Sequence, residues 1–234
     1  MQPRRVRIRP GISMIAAVAL AAVALAAVVT VVPSLVDTGA PAVALADGGA
    51  RANRAVFHDT MRKLWEDHIT WTRLFIVSVA TESAALPDLA ATTDRLLANQ
   101  TDIGNAMKAF YGTTAGDRLT ALLRTHILLA AQLLSAAKAG DSAGVATASS
   151  AWYANADDIA AFLHAANPAN WPLADLQAMM KSHLDLTLKE GVDRLGGHYA
   201  ADVADYDAVH GEILQMADML SDGIVRQFPG AFAR

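Results

Sequence analysis

The sequence predicts an all-α protein, an up-and-down bundle of about six helices after one N-terminal apolar segment. Apolar residues recur at helical 3–4 spacing across residues 53–229. No run of strand-like alternation interrupts them. Glycine and proline breaks divide the stretch into six segments with short connections, the pattern of antiparallel neighbours.

The first segment to justify is the leader. Residues 1–35 read as a basic tip followed by a span. Arg4, Arg5, Arg7 and Arg9 precede a run from Ile12 to Val32 in which only Ser13 and Thr30 are polar. A helix rises 1.5 Å per residue, so this run is long enough to cross a hydrocarbon core. Arginines ahead of the span keep the N-terminus in the cytoplasm and send the rest of the chain outside. The expected location is the bacterial cell membrane with the C-terminal domain outside the cytoplasm. Ala44-Leu45-Ala46 before Asp47 offers a cleavage pattern, and cleavage there gives a secreted or periplasmic protein instead. Residues 36–52, small and glycine-rich, are expected to be a linker.

Composition excludes several classes. The chain carries a net charge of −4, and no acid precedes Asp37, so the four leader arginines leave −8 on the remainder. A domain this acidic, with no basic stripe, is not expected to bind nucleic acid. With no cysteine, disulfides, iron–sulfur clusters and thiolate chemistry are absent. No G-x-S-x-G, phosphate-binding loop or dinucleotide fingerprint exists, and the chain is not expected to be an enzyme.

The domain itself spans residues 53–229. Asn53 suits a helix N-cap, and Phe57, Met61, Leu64, Trp71, Phe75 and Val79 form the first stripe. Leu86-Pro87-Asp88 stops that helix. The second carries Leu89, Leu96, Ile103, Met107 and Phe110 and ends at Gly112. The third carries Leu119, Leu122, Leu129 and Leu133 and breaks at Gly140-Asp141. The fourth carries Val145, Trp152, Ile159 and Phe162 and stops before Asn167-Pro168. Pro172 suits a first helical turn, and Leu173, Leu176 and Met180 follow it. Gly196-Gly197 ends this fifth helix. The sixth runs to about Phe228 through Tyr206, Ile213, Leu220 and Ile224.

Polar residues interrupt these stripes near the middle of each helix. They are His68, Gln100, His126, Asn155, His183 and His210, in chain order. In a bundle of similar helices they fall at one depth, giving a polar layer of four imidazoles and two carboxamides. Neutral imidazole ligates zinc, copper and iron, and two imidazoles can hold haem. His68, His126, His183 and His210 are therefore the candidate ligands. Asp207, three residues before His210, is expected to share its face, and Glu190 lies two turns beyond His183. Glu66, Asp67, Asp185 and Glu212 are displaced around their helices. The paired E-x-x-H motifs of carboxylate-bridged di-iron proteins are missing. The alternative is that the layer binds nothing and only fixes helix register.

The segments Trp65-Glu-Asp-His68, Asn99-Gln-Thr-Asp-Ile-Gly-Asn105, Trp152-Tyr-Ala-Asn-Ala-Asp157 and Met216-Ala-Asp-Met-Leu220 resemble a bacterial family of helical extracytoplasmic proteins without established activity. Members sometimes carry the labels acetylglutamate kinase or glycosyltransferase, which these residues do not support. The resemblance implies the bundle fold and the compartment. The expected function is a binding module, with a metal ion or small cofactor at the histidines. The alternative is a non-catalytic structural or interaction domain. The membrane is the one partner the sequence names, through Ile12 to Val32.

Overall fold

A computed structural model describes residues 54–81 and 86–232. The expectations for the leader, its cleavage site and the linker lie outside them. The described residues form an all-α bundle: α1 Arg54–Val79, α2 Leu89–Tyr111, α3 Thr113–Ala139, α4 Ser142–Ala166, α5 Leu173–Leu195 and α6 Tyr199–Gln227, followed by a 3-10 turn, Pro229–Ala231. No strand occurs among the described residues.

Local chemistry sets the ends. Gly112, at φ 82°, joins α2 to α3 in a conformation that suits glycine alone. Gly140, at φ 68°, closes α3, and Asp141 accepts a hydrogen bond from the Gly144 backbone N–H at 2.9 Å to open α4. Lys138 Nζ reaches across and donates to the Val79 carbonyl at 2.8 Å, satisfying the C-terminal end of α1. These ends fall within a few residues of those the sequence predicts.

Each helix packs on the next, and α6 returns against α1. The result is a closed ring in which α1, α3 and α5 also touch one another across the middle. The main core gathers Met61, Trp65, Ile103, Leu119, Trp152, Leu176 and Ile213. A smaller cluster holds Phe75, Ile76, Val79, Leu96, Ile127 and Leu134. α2 and α3 cross closely: a Cβ built on Gly104 would stand 2.7 Å from the Gly116 carbonyl oxygen. Among the described residues, α3 is the one helix long and apolar enough to cross a membrane, and it packs in this ring between α2 and α4.

Two stripes differ from expectation. On α1 the inward positions are Trp65, Ile69 and Ile76, while Leu64 and Trp71 are half-buried. On α6 the inward positions are Asp202, Asp205, Val209 and Ile213, and Tyr206 is half-buried. Neighbouring helix residues are about 100° apart, so a choice between adjacent apolar side chains rotates the inferred face.

Candidate functional site

Three of the four candidate histidines meet inside the ring. His68 on α1, His126 on α3 and His183 on α5 are all buried. The ring centroid of His183 lies 5.7 Å from that of His68 and 6.2 Å from that of His126. Each odd-numbered helix therefore supplies one imidazole to the centre.

The layer is built three times over by one pattern. Met61–Ile69, Leu119–Ile127 and Leu176–Leu184 read MRKLWEDHI, LTALLRTHI and LQAMMKSHL. Histidine holds the same place in all three, first 58 residues apart (68 to 126) and then 57 (126 to 183). Each is bonded through Nδ1 to the following helix: His68 to Gln100 Nε2, His126 to Asn155 Oδ1 and His183 to Glu212 Oε2, all at 3.1 Å. Asn99 and Asn155 also occupy equivalent places. Asn99 Nδ2 donates to the Leu64 carbonyl at 3.0 Å and Asn155 Nδ2 to the Leu122 carbonyl at 3.3 Å, in each case four residues ahead of the histidine. The bundle is thus three similar hairpins, each keyed by a histidine bond.

These bonds place protons on two of the three histidines. Gln100 Nε2 also lies 2.9 Å from the Leu96 carbonyl and 3.1 Å from Asn99 Oδ1, so its two hydrogens are shared among three neighbouring acceptors. Asn155 and Glu212 present oxygens, so His126 and His183 each carry a proton on Nδ1. Burial, with the other two histidines close by, pushes the His68 pKa well below its usual value. Burial and the nearby His183 push His126 down to about 3. Both are neutral at physiological pH.

Other polar atoms around the layer are buried without a partner in the structure. They are Trp65 Nε1, Gln100 Oε1, Trp152 Nε1, Thr187 Oγ1 and Glu212 Oε1. The Trp65 and Trp152 rings lie 5.9 and 5.3 Å from His68 and His126. Buried polar groups without partners are rare, and so many around one layer call for a bonding partner. One helical turn beyond the layer lies an apolar cavity of about 30 Å³, whose walls include Thr72, Thr187, Trp152, Ile127 and Leu96. A larger recess of about 250 Å³ between α4 and α5 is lined by Tyr153, Asp157, Gln177 and Lys181. There Gln177 bonds Asp157 and Lys181 bonds Asp185.

His210 does not join the layer. It is half-exposed and its Nε2 pairs with Glu66 Oε1 at 2.9 Å. Val209 and Ile213 take the inward face at that depth, which turns His210 and the exposed Asp207 outward. Glu190 is buried but belongs elsewhere: its Oε1 accepts from Arg73 Nη1 at 2.9 Å, and Arg73 forks onto the fully buried Asp202. Burial raises the Glu190 pKa to about 7 despite Arg73, whose own pKa is raised by the Asp202 bond. Glu212 departs in the opposite sense, since it bonds His183 from within the layer. Among the described residues no three His, Asp or Glu side chains form a metal-holding group.

Asn99, Thr187, Trp65 and Trp152 complete the surroundings of the layer; Thr187 lies one turn beyond His183 in the sequence, whereas Asn99 is not among the residues the stripe gaps single out. The thrice-repeated apolar–histidine pattern is the sequence signal that leads to the three hairpins and their centre. The chain matches no family model, no curated protein and no solved structure.

Proposed function

We propose that this chain is an exported or membrane-tethered binding module that holds a small ligand at His68, His126 and His183. The carrying observation is the set of unpartnered buried atoms around those rings, from Trp65, Gln100, Trp152, Thr187 and Glu212. Leaving such groups unbonded costs about 1–3 kcal/mol each, so a partner that bonds several of them is favoured strongly. Ligand sites in helical bundles are built in this way, from side chains on facing helices. The arginine-flanked run from Ile12 to Val32 supports delivery to the outside of a membrane.

Native mass spectrometry of the full chain, purified from its own membrane fraction, tests the reading. The expected result is a mass above that of the denatured chain, lost in His126→Ala and kept in His210→Ala. Equal native and denatured masses overturn it. One observation favours a second reading: every histidine of the layer already has its own bond to the next helix, which is what a register lock requires. A reporter active only outside the cytoplasm, fused after Arg234, tests the compartment, and an inactive intact fusion refutes it.

A further inference from the structure

Independently of the histidine layer, we infer that the recess between α4 and α5 is a second binding site, for a small primary amine held as its ammonium ion.

The three joints between hairpins, α2–α3, α4–α5 and α6–α1, follow one plan. In each, the residue two places before a histidine of the layer meets the residue two places before Asn99, Asn155 or Glu212. Arg124 Nη1 donates to the Leu97 carbonyl at 3.1 Å, and Glu66 Oε1 pairs with His210 Nε2 at 2.9 Å. Lys181 and Tyr153 meet by sharing the Asp185 carboxylate. Two of the joints then close. In α2–α3 a Cβ on Gly104 would stand 2.7 Å from the Gly116 carbonyl oxygen. In α6–α1 the Arg62 guanidinium forks onto Asp218, with Nε 2.6 Å from Oδ1.

Sequence leaves the α4–α5 joint open. Counting from Asn155 and Glu212, Ala156 stands where α6 has Ile213, and Asp157 where it has Leu214. Counting back from the histidines, Gln177 stands where α1 has Arg62. The small side chains of Ala156 on α4 and Ala178 on α5 leave the recess of about 250 Å³. That is the share of about eight waters, room for an aliphatic chain of about five carbons.

Charge selects the head of the ligand. Lys181 is matched by Asp185, which also accepts from the Tyr153 hydroxyl at 2.6 Å. Asp157 has no ion-pair partner among the described residues, and Gln177 Nε2 donates to its Oδ1 at 3.1 Å. Asp157 Oδ2 and Gln177 Oε1 are left to accept. Two acceptors beside an unmatched negative charge suit the N–H groups of a cation and disfavour a carboxylate. Ala156, Ala178 and Met180 give the recess an apolar wall, which takes an alkyl stem. A bare metal ion would leave that wall uncovered, and no three His, Asp or Glu side chains gather to hold one among the described residues.

The experiment uses the full chain in nonionic detergent, labelled with nitrogen-15, and three probes of one length: n-butylammonium, butyrate and butan-1-ol. Butylammonium is expected to shift the backbone amides of Asp157 and Ala178 saturably at millimolar concentration, while butyrate and butan-1-ol give no saturable shift there. Asp157→Asn is expected to raise the half-saturating concentration about tenfold, the loss of one charge-assisted bond. Ala178→Leu, which fills the recess and keeps every charge, is expected to abolish the saturable shifts. Both positions are exposed, so both variants are expected to keep the helical circular dichroism. No saturable shift with butylammonium overturns the inference. So does an equal response to butyrate or butan-1-ol, or half-saturation unchanged in Asp157→Asn. Shifts confined to the imidazoles of His68, His126 and His183 would place the amine in the layer and also overturn it. The mass comparison with His126→Ala bears on the layer alone, so the two readings fail separately.

Discussion

Asn155 holds His126 in one tautomer: its Oδ1 accepts from His126 Nδ1 at 3.1 Å while its Nδ2 is anchored on the Leu122 carbonyl at 3.3 Å. Removing the carboxamide leaves a buried N–H with no acceptor, which costs about 1–3 kcal/mol before any cavity is counted. Asn155→Ala is expected to lower the unfolding free energy by about that amount or more, read from urea denaturation at pH 7.5. Its nitrogen-15 spectrum is expected to show His126 losing its single tautomer. A change below about 0.5 kcal/mol, with the tautomer kept, shows that the bond orders nothing.

Trp171 sits fully buried against Gly223, where a Cβ would stand 1.9 Å from the indole nitrogen. The same turn is tied down by Asn167 Nδ2 donating to the Gly223 carbonyl at 2.9 Å. Gly223→Ala must therefore push the α4–α5 connection off α6, and overpacking of this kind costs about 1–3 kcal/mol. Gly211, on the same helix, has open space around it, so Gly211→Ala is expected to gain about 0.5–1 kcal/mol from helix propensity. Opposite shifts in thermal midpoint check the pair, and equal shifts refute the packing account.

Those two glycines mark what was legible in sequence and what was not. Six helices follow from apolar period and breakers, because both act locally. Facing is harder. His68, His126 and His183 fall where stripe gaps place them, whereas His210 misses the core because Val209 beside it is equally suited to the inward face. Glu190 is buried through Arg73, a partner 117 residues away that no helical period connects to it. Glu212 enters the layer because α6 is rotated so that Val209, not Tyr206, faces in. Asn99 braces Gln100 beside His68, a role that emerges only when α1 and α2 are brought together.

Glu190 gives the fold a measurable pH dependence. Its folded pKa, about 7, exceeds the ordinary value of 4.5, so the folded state holds a proton that the unfolded chain releases earlier. The stability this contributes is fully present below about pH 4.5 and is lost as pH rises through about 7. A unit of pKa shift corresponds to about 1.4 kcal/mol, so the span is of order 3 kcal/mol. Glu190→Gln is expected to flatten this part of the profile, keeping a neutral acceptor for Arg73 at every pH. Urea unfolding of both proteins at pH 5, 6, 7 and 8 checks it: parallel profiles would place the Glu190 titration elsewhere.

Thr187 separates an occupied layer from an empty one. Its hydroxyl is buried without a partner, one turn beyond His183 and in the wall of the cavity. Valine keeps the shape and removes the unbonded group, so Thr187→Val is expected to stabilise the ligand-free protein by about 1 kcal/mol. A ligand that bonds the hydroxyl reverses this advantage. A bound ligand stabilises by RT ln(1 + [L]/Kd), about 1.4 kcal/mol at ten times Kd, and the variant forfeits part of that gain. The urea midpoint of Thr187→Val is therefore expected to lie above wild type in plain buffer when the layer holds no ligand. A variant less stable than wild type in plain buffer would show that the hydroxyl is already bonded, by buried water or by a molecule retained through purification. Native mass spectrometry of that same sample distinguishes the two, since only the retained molecule adds mass.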